Sequence, residues 1–186
     1  MSNERSTREG VLLNLLEEFR GSGFDGVSLS RISEVTGLGK ASLYHHFPGG
    51  KGEMAEAVME LAVTWLEARV YGPLEGPGEP QARLSMVLAA LDEFYAGGSK
   101  SCLLDVMPLT GDVKVQSAVK AILQRLLSGF EKLARDAGHA TKAARARAEA
   151  TLVSLQGSLV LSRGLKDPAP FQRVLKALRQ EFLRLS

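Results

Sequence analysis

The chain has 186 residues with a formal net charge of +2 at pH 7, and 45% of its residues are hydrophobic. That length suits one or two modest domains with a packed core, and so mild a charge does not by itself indicate nucleic-acid binding. The single cysteine, Cys102, excludes an intramolecular disulfide. Neither a signal peptide nor an apolar run of about 18 residues is visible, so we expect a cytoplasmic protein with no membrane partner.

The first predicted helix begins after Thr7, a suitable N-cap, and runs to about Gly21. Its apolar residues recur at the spacing of one helical face: Leu12, Leu15, Leu16 and Phe19. We expect this stripe to cover the two short helices that follow it.

Residues 27–54 predict two short helices joined by a tight turn. Ser28 is a favoured N-cap for the first of them, and Gly37 suits the left-handed residue that ends it. The second helix runs from about Lys40 to Phe47, and the following Pro-Gly-Gly sequence breaks it.

Two helices joined by a short glycine-containing turn are the layout of a helix-turn-helix. In that motif the second helix enters the DNA major groove with its first residues against base edges. Residues 38–52 contain basic and histidine side chains and no acidic residue: Lys40, His45, His46 and Lys51. Such a surface favours a polyphosphate through counterion release.

The stretch GFDGVSLSRISEVTGLGKASLYHHFPGGK, residues 23–51, resembles the DNA-binding domain of TetR-type transcriptional regulators. The features in register are Gly23, Phe24, Ser28, Ile32, Gly37, Lys40, Tyr44, Phe47 and Lys51. Weaker local likenesses, at residues 101–104 and 156–157, are similar to one branch of that family. Three positions depart from the family pattern: Gly39 stands where serine is common, and Ser33 and Thr36 replace the usual alanines.

The candidate DNA-binding residues are Ser28, Arg31, Lys40, Ala41, Ser42, Tyr44, His45 and Lys51. Lys40 donates either to a guanine edge or to a phosphate. Ala41 and Ser42 are small enough for close approach of the backbone, and His45, one turn after Ala41, faces the same groove. For Tyr44 the resemblance implies a phosphate contact, with a core position as the alternative.

The remaining candidates contact the DNA backbone in this interpretation. Ser28 caps its helix, presents the helix N-terminus to a phosphate, or does both. Arg31 and Lys51 are each either phosphate ligands or solvated cations, and Lys51 would otherwise sit unfavourably at the positive end of a helix dipole.

The C-terminal half predicts long helices at residues 51–71, 81–96, 112–137 and 141–165, a loop at 72–80, and a last helix after Pro168. Residues 151–162 are apolar nearly all round, which requires cover on every side, and a second subunit is the cover that we expect. The resemblance implies that this half senses a ligand and dimerises.

Five residues are predicted to line a mostly apolar ligand cavity, with ordinary core packing as the alternative for each: Trp65, Phe94, Tyr95, Met107 and Gln156. Cys102 is interpreted as inert core rather than as a redox sensor. Adjacent residues on a helix point about 100° apart, so His45 and His46 cannot chelate one ion, and we expect neither metal nor cofactor.

The sequence thus predicts an all-α protein, with a helix-turn-helix domain at residues 1–50 and a helical ligand-sensing and dimerisation domain at 51–186. We predict a ligand-responsive transcriptional regulator, most often a repressor in such a family, that binds a pseudo-palindromic operator as a homodimer. A small, largely apolar effector releases it. The alternative is a helical protein-interaction module without DNA binding. No nucleophile–base set, acid pair or metal-ligand spacing is visible, so we do not expect an enzyme.

Overall fold

The computed structural model describes residues 7–107 and 113–184, and throughout these ranges the regular structure is helical, without a strand. The prediction of an all-α protein is therefore confirmed. The helices are α1 (Arg8–Gly26), α2 (Leu29–Thr36), α3 (Lys40–His46), α4 (Gly50–Leu66), α5 (Gly72–Glu75), α6 (Pro80–Phe94), α7 (Leu103–Val106), α8 (Val113–Asp136), α9 (Thr141–Leu165) and α10 (Ala169–Glu181), with a π-helical turn at Glu67–Tyr71 and a 3-10 turn at Ala96–Gly98.

The chain forms two compact units. The first unit comprises Met1–Val63 and Leu103–Lys120, and the second comprises Thr64–Cys102 and Ala121–Ser186. The backbone passes from one unit to the other within α4, just before α7 and within α8. The predicted domain boundary between residues 50 and 51 stays a prediction.

Helix α1 continues beyond its predicted end at Gly21. Thr7 caps it as expected, because its hydroxyl accepts a hydrogen bond from the backbone N–H of Gly10 at 3.2 Å. The helix then breaks at Gly23, which has φ 68° and ψ 175°, and resumes for one more turn to Gly26. The Phe24 ring stacks on Phe19 at a centroid distance of 6.1 Å, and this contact holds the additional turn against the helix.

The loop predicted at residues 72–80 is wrong in its first half, where Gly72–Glu75 form α5. Proline is tolerated in the first turn of a helix, where its missing N–H has no intrahelical partner. Side-chain contacts then favour the helical path. Arg125 binds both Glu67 and Glu75, and its guanidinium lies 4.1 Å from the centre of the Tyr71 ring.

The other boundaries agree closely with the sequence pattern. Helix α9 has the predicted bounds, α6 ends two residues before its predicted end, and α10 begins directly after Pro168. Helix α8 runs from Val113, and the predicted start at Asp112 lies outside the described residues. No helix in the described ranges is both long and apolar enough to cross a bilayer.

His139, in the turn between α8 and α9, makes the stability of the second unit depend on pH. The residue is only 8% exposed. Burial and the nearby charge of Arg147 lower the pKa of His139, while hydrogen bonds to the backbone of Phe182 and Leu183 act in the opposite direction. The unfolded chain therefore takes up this proton at a higher pH than the folded chain does, so stability is lost as the pH falls below about 6.5.

We expect the free energy of unfolding to decrease between pH 7.5 and pH 5.5 more steeply in the wild type than in His139→Gln. One group contributes at most about 1.4 kcal/mol per pH unit to this slope. Urea unfolding of both proteins across that range measures the difference. Identical pH slopes would contradict the assignment to His139.

Candidate nucleic-acid interface

The turn between α2 and α3 is held at both ends. Ser28 caps α2, its hydroxyl accepting from the N–H of Arg31 at 3.1 Å. Gly37 ends α2 in the left-handed conformation with φ 70°, which glycine adopts without the steric cost that a Cβ would impose. Ile32, Leu43 and Phe47 lie beneath the turn, each at most 1% exposed. The two short helices therefore share one small core, as the sequence predicts.

The hydroxyl groups of Ser33 and Thr36 also form hydrogen bonds within the turn. These are the two positions where the family pattern usually has alanine. The Thr36 hydroxyl donates to the carbonyl of Ile32 at 2.7 Å and accepts from the N–H of Leu38 at 3.3 Å. The Ser33 hydroxyl donates to the carbonyl of Leu38. Sequence reasoning required only that these side chains fit, and it missed that they fix the path from α2 to α3.

The outward side of α3 carries the residues that were predicted to face DNA. Lys40, Ala41, Ser42 and His45 are exposed, and Tyr44 is 47% exposed, which does not fit a core position. Between Leu38 and Gly52 this surface includes no carboxylate. The exposed side of α3 can therefore present small and basic side chains to a polyanion such as DNA.

Arg31 is already engaged by acidic side chains. Its guanidinium binds Glu18 of α1 through two nitrogens, at 2.9 and 3.0 Å, and binds Glu34 of α2 at 3.0 Å. These hydrogen bonds raise the pKa of Arg31 further above its usual value. Three of the five N–H donors of Arg31 are thus engaged while its side chain remains 49% exposed, and the predicted phosphate contact stays a prediction. Sequence reasoning missed Glu18, because a partner on another helix leaves no local pattern.

Lys51 is bound to the end of α1. Its ammonium donates to the carbonyls of Phe24 at 2.9 Å and Val27 at 3.1 Å, and lies 4.4 Å from the centre of the Phe24 ring. Carbonyl acceptors and an aromatic face explain why a cation is tolerated at the start of α4. An ammonium has three N–H donors, so the predicted phosphate contact is compatible with both bonds.

His45 and His46 lie with their rings edge-on, 5.8 Å apart between centroids. Within residues 7–107 and 113–184 no group of three or more histidine, cysteine or acidic side chains is placed to hold a metal ion.

In the second unit, four of the five predicted cavity residues form a connected cluster. Trp65 stacks on Phe94 at 4.2 Å, and Phe94 meets Tyr95 edge-on at 5.2 Å between ring centroids. The Tyr95 hydroxyl lies 3.1 Å from the Cys102 sulfur, and the Gln156 amide donates to the same sulfur at 3.4 Å. We call Trp65, Phe94, Tyr95, Cys102 and Gln156 the aromatic cluster. A role for it in ligand binding remains a prediction.

The fifth predicted cavity residue, Met107, is buried and belongs to the first unit. Cys102, interpreted from sequence as inert core, is 2% exposed and connects Tyr95 with Gln156. In the sequence, the weak family likeness at residues 101–104 was the one indication that Cys102 has a specific place in the structure.

Helix α9 has one buried and one exposed apolar side. Leu152, Leu155 and Leu159 are buried. Large apolar residues on its other side remain exposed: Val153 at 72%, Val160 at 46%, Leu161 at 57% and Leu165 at 65%. We call these four residues the α9 row. Sequence reasoning predicted that this helix would require cover beyond its own chain.

Known proteins resemble both the helix-turn-helix region and the chain as a whole. Residues 14–58 match the family model described as bacterial regulatory proteins, tetR family. The HTH-type transcriptional regulator LmrA of Bacillus subtilis is 25% identical over 179 residues, covering 90% of this chain and 92% of that protein. An uncharacterised HTH-type regulator of Lactococcus lactis is 25% identical over 174 residues, covering 89% and 87%.

Solved structures share the fold. A TetR transcriptional regulator from Legionella pneumophila superposes with a TM-score of 0.82 at 18% identity, covering 94% of this chain and 96% of that one. A regulator from Agrobacterium tumefaciens gives 0.78 at 18%, covering 97% and 98%. The predicted order of an N-terminal helix-turn-helix followed by a helical region is confirmed.

Proposed function

Because the chain belongs to the TetR family of bacterial transcriptional regulators, we propose that it binds a pseudo-palindromic operator as a homodimer. We further propose that a small, largely apolar effector releases the protein from this operator and thereby relieves repression. As a member of this family the chain is a DNA-binding regulator and not an enzyme.

The observation that carries the proposal is the exposed side of α3. Buried Leu43 and Phe47 anchor the inner side of the helix, so Lys40, Tyr44 and His45 face outward together. In a helix-turn-helix the first residues of the second helix reach base edges, and a two-fold dimer places two such helices about 34 Å apart or a multiple of it. The α9 row supports the dimer, because four large exposed apolar side chains on one helix favour association.

The aromatic cluster supports an effector that is mostly apolar with one or two polar groups, since Gln156 and Tyr95 supply polar atoms among aromatic rings. The protein can adopt a conformation that fits the operator and one that does not. The effector causes release only if its affinity for the second conformation is higher than its affinity for the first. Helix α4, which begins beside α3 in the sequence and ends in the second unit, is the proposed mechanical link.

Selection of duplexes from a random library by the purified chain tests the function and defines an operator. With the selected duplex, we expect Lys40→Ala to weaken binding and to lower the slope of log affinity against log salt by roughly 0.9. Tyr44→Phe should also weaken binding, because it removes one hydroxyl donor. Lys176→Ala, at an exposed lysine of α10, is the matched control and should leave both quantities unchanged.

The rival function is a protein-interaction module. This rival function is supported if no duplex is enriched. It is also supported if Lys40→Ala and Tyr44→Phe bind duplexes as the wild type does but no longer bind a protein partner.

A further inference from the structure

Glu18 of α1 is the principal partner of Arg31 in the first turn of α2. Two guanidinium nitrogens of Arg31 donate to the two oxygens of the Glu18 carboxylate, at 2.9 and 3.0 Å. The Glu18 side chain is 18% exposed, whereas that of Glu34, the second partner, is 71% exposed. Two parallel hydrogen bonds to a partly shielded carboxylate form a stronger ion pair than the pairs typical of protein surfaces. The contact with Glu18 therefore dominates the surroundings of Arg31.

Arg31 lies on the helix that meets the DNA backbone in this motif. The first helix of a helix-turn-helix crosses the sugar-phosphate backbone, while the second lies in the major groove. Arg31 follows the Ser28 N-cap of α2 by one helical turn, and its side chain is 49% exposed. Two of its five N–H donors remain for an acceptor outside the protein. A phosphate that approaches Arg31 therefore competes with a carboxylate that is already bound.

Random and target sequences differ in how well they support that competition. On random sequence, almost all of the binding free energy comes from electrostatic contacts with phosphates. On a target sequence, base contacts from the second helix add to these, and one register of the protein on the duplex is favoured. A phosphate near Arg31 then stays in place beside it. Pairing with Glu18 should therefore lower affinity for random sequence more than affinity for the target.

We infer that Glu18 is a specificity-determining residue, which weakens the binding of random-sequence DNA more than the binding of the operator by pairing with Arg31. Glu18 acts through Arg31, so it is a positioning residue and does not itself touch DNA. Its effect on the operator rests on the proposed function. Its effect on random sequence requires only that the chain is a DNA-binding regulator.

The first experiment compares Glu18→Gln with Asp25→Asn in the full chain. Each variant is titrated with the selected duplex and with a scrambled duplex of the same length and composition. Both substitutions remove one negative charge from α1. Asp25 is exposed, and within the described part of the chain the carboxylates that pair with Arg31 are Glu18 and Glu34. Asp25→Asn therefore reports the general effect of the charge.

For Glu18→Gln we expect the scrambled duplex to bind roughly 3-fold more tightly or better, with a salt slope steeper by roughly 0.9, which is the contribution of one phosphate contact. Affinity for the selected duplex should change less than about 2-fold, so the ratio of the two affinities falls. A merely structural role for Glu18 would not steepen the salt slope. Weaker binding of either duplex would show that Glu18 holds Arg31 toward a phosphate, and this result overturns the inference.

A double-mutant cycle tests whether Glu18 acts through Arg31. In an Arg31→Ala background, Glu18→Gln should tighten binding of the scrambled duplex no more than Asp25→Asn tightens it in the wild type. An effect of Glu18→Gln that is equally large with and without Arg31 contradicts the pairing role.

Glu34→Gln keeps the test decisive if Glu18→Gln does not fold. Glu34 is largely exposed, and its removal takes away the other carboxylate partner of Arg31. We expect a steeper salt slope with the scrambled duplex, as for Glu18→Gln but smaller, and an unchanged slope overturns the inference. If selection enriches no sequence, the proposed operator fails, while the scrambled duplex still decides whether Glu18 limits DNA binding through Arg31.

Discussion

Leu161→Glu is expected to convert the proposed homodimer to a monomer and to weaken binding to the proposed operator by more than about 100-fold. Leu161 is 57% exposed within the α9 row. In a dimer that buries this row, the new carboxylate would lose its hydration without a partner, at a cost of several kcal/mol. A monomer meets one half-site at a time, and loss of the second, effectively intramolecular contact reduces affinity by 10²–10⁴.

Ala143→Glu is the matched control, because residue 143 is exposed on the same helix and the charge changes equally. Sedimentation equilibrium gives the oligomeric state, and fluorescence anisotropy with the selected duplex gives the affinity. A Leu161→Glu protein that remains dimeric would show that the α9 row is not the interface.

Phe47→Ala should unfold the proposed DNA-binding surface while leaving the second unit folded. Phe47 is 0% exposed, and the Arg8 guanidinium lies 5.4 Å from the centre of its ring. Replacing a buried phenylalanine by alanine costs about 3–5 kcal/mol. Helix α3 has 7 residues, too few to be stable without tertiary contacts, so loss of this anchor releases it.

Urea unfolding followed by circular dichroism measures the loss, and the selected duplex reports the effect on binding. Phe47→Leu keeps an apolar side chain and should lose only about 1 kcal/mol. If Phe47→Ala retains both wild-type stability and operator affinity, then the core beneath α3 is not what holds its outer side in place.

Local chemistry was enough to predict where most helices begin and end. The caps at Thr7 and Ser28 and the left-handed end at Gly37 are decided within a few residues. The α5 segment was missed because Arg125, some fifty residues further along the chain, stabilises it through Glu67 and Glu75. Propensity indicated a loop, and tertiary contacts outweighed it.

The same distinction applies to the candidate interface. The spacing of Leu43 and Phe47 determines which side of α3 is buried, and the exposed side follows from it. The partners of Arg31 and Lys51 do not follow from any pattern. Glu18 lies 13 residues from Arg31, and the Phe24 carbonyl lies 27 residues from Lys51. Only the packing of α1 against its neighbours brings them into contact.

The pairing of Arg31 with two carboxylates affects how such a protein would search a chromosome. Residence on random sequence depends on how many unpaired cations a protein offers to phosphates. Arg31 is already paired with Glu18 and Glu34 in the absence of DNA. We therefore expect random genomic DNA to gain less from Arg31 than from an unpaired arginine, which would shorten each unproductive encounter and leave more of the protein available to find its target sequence.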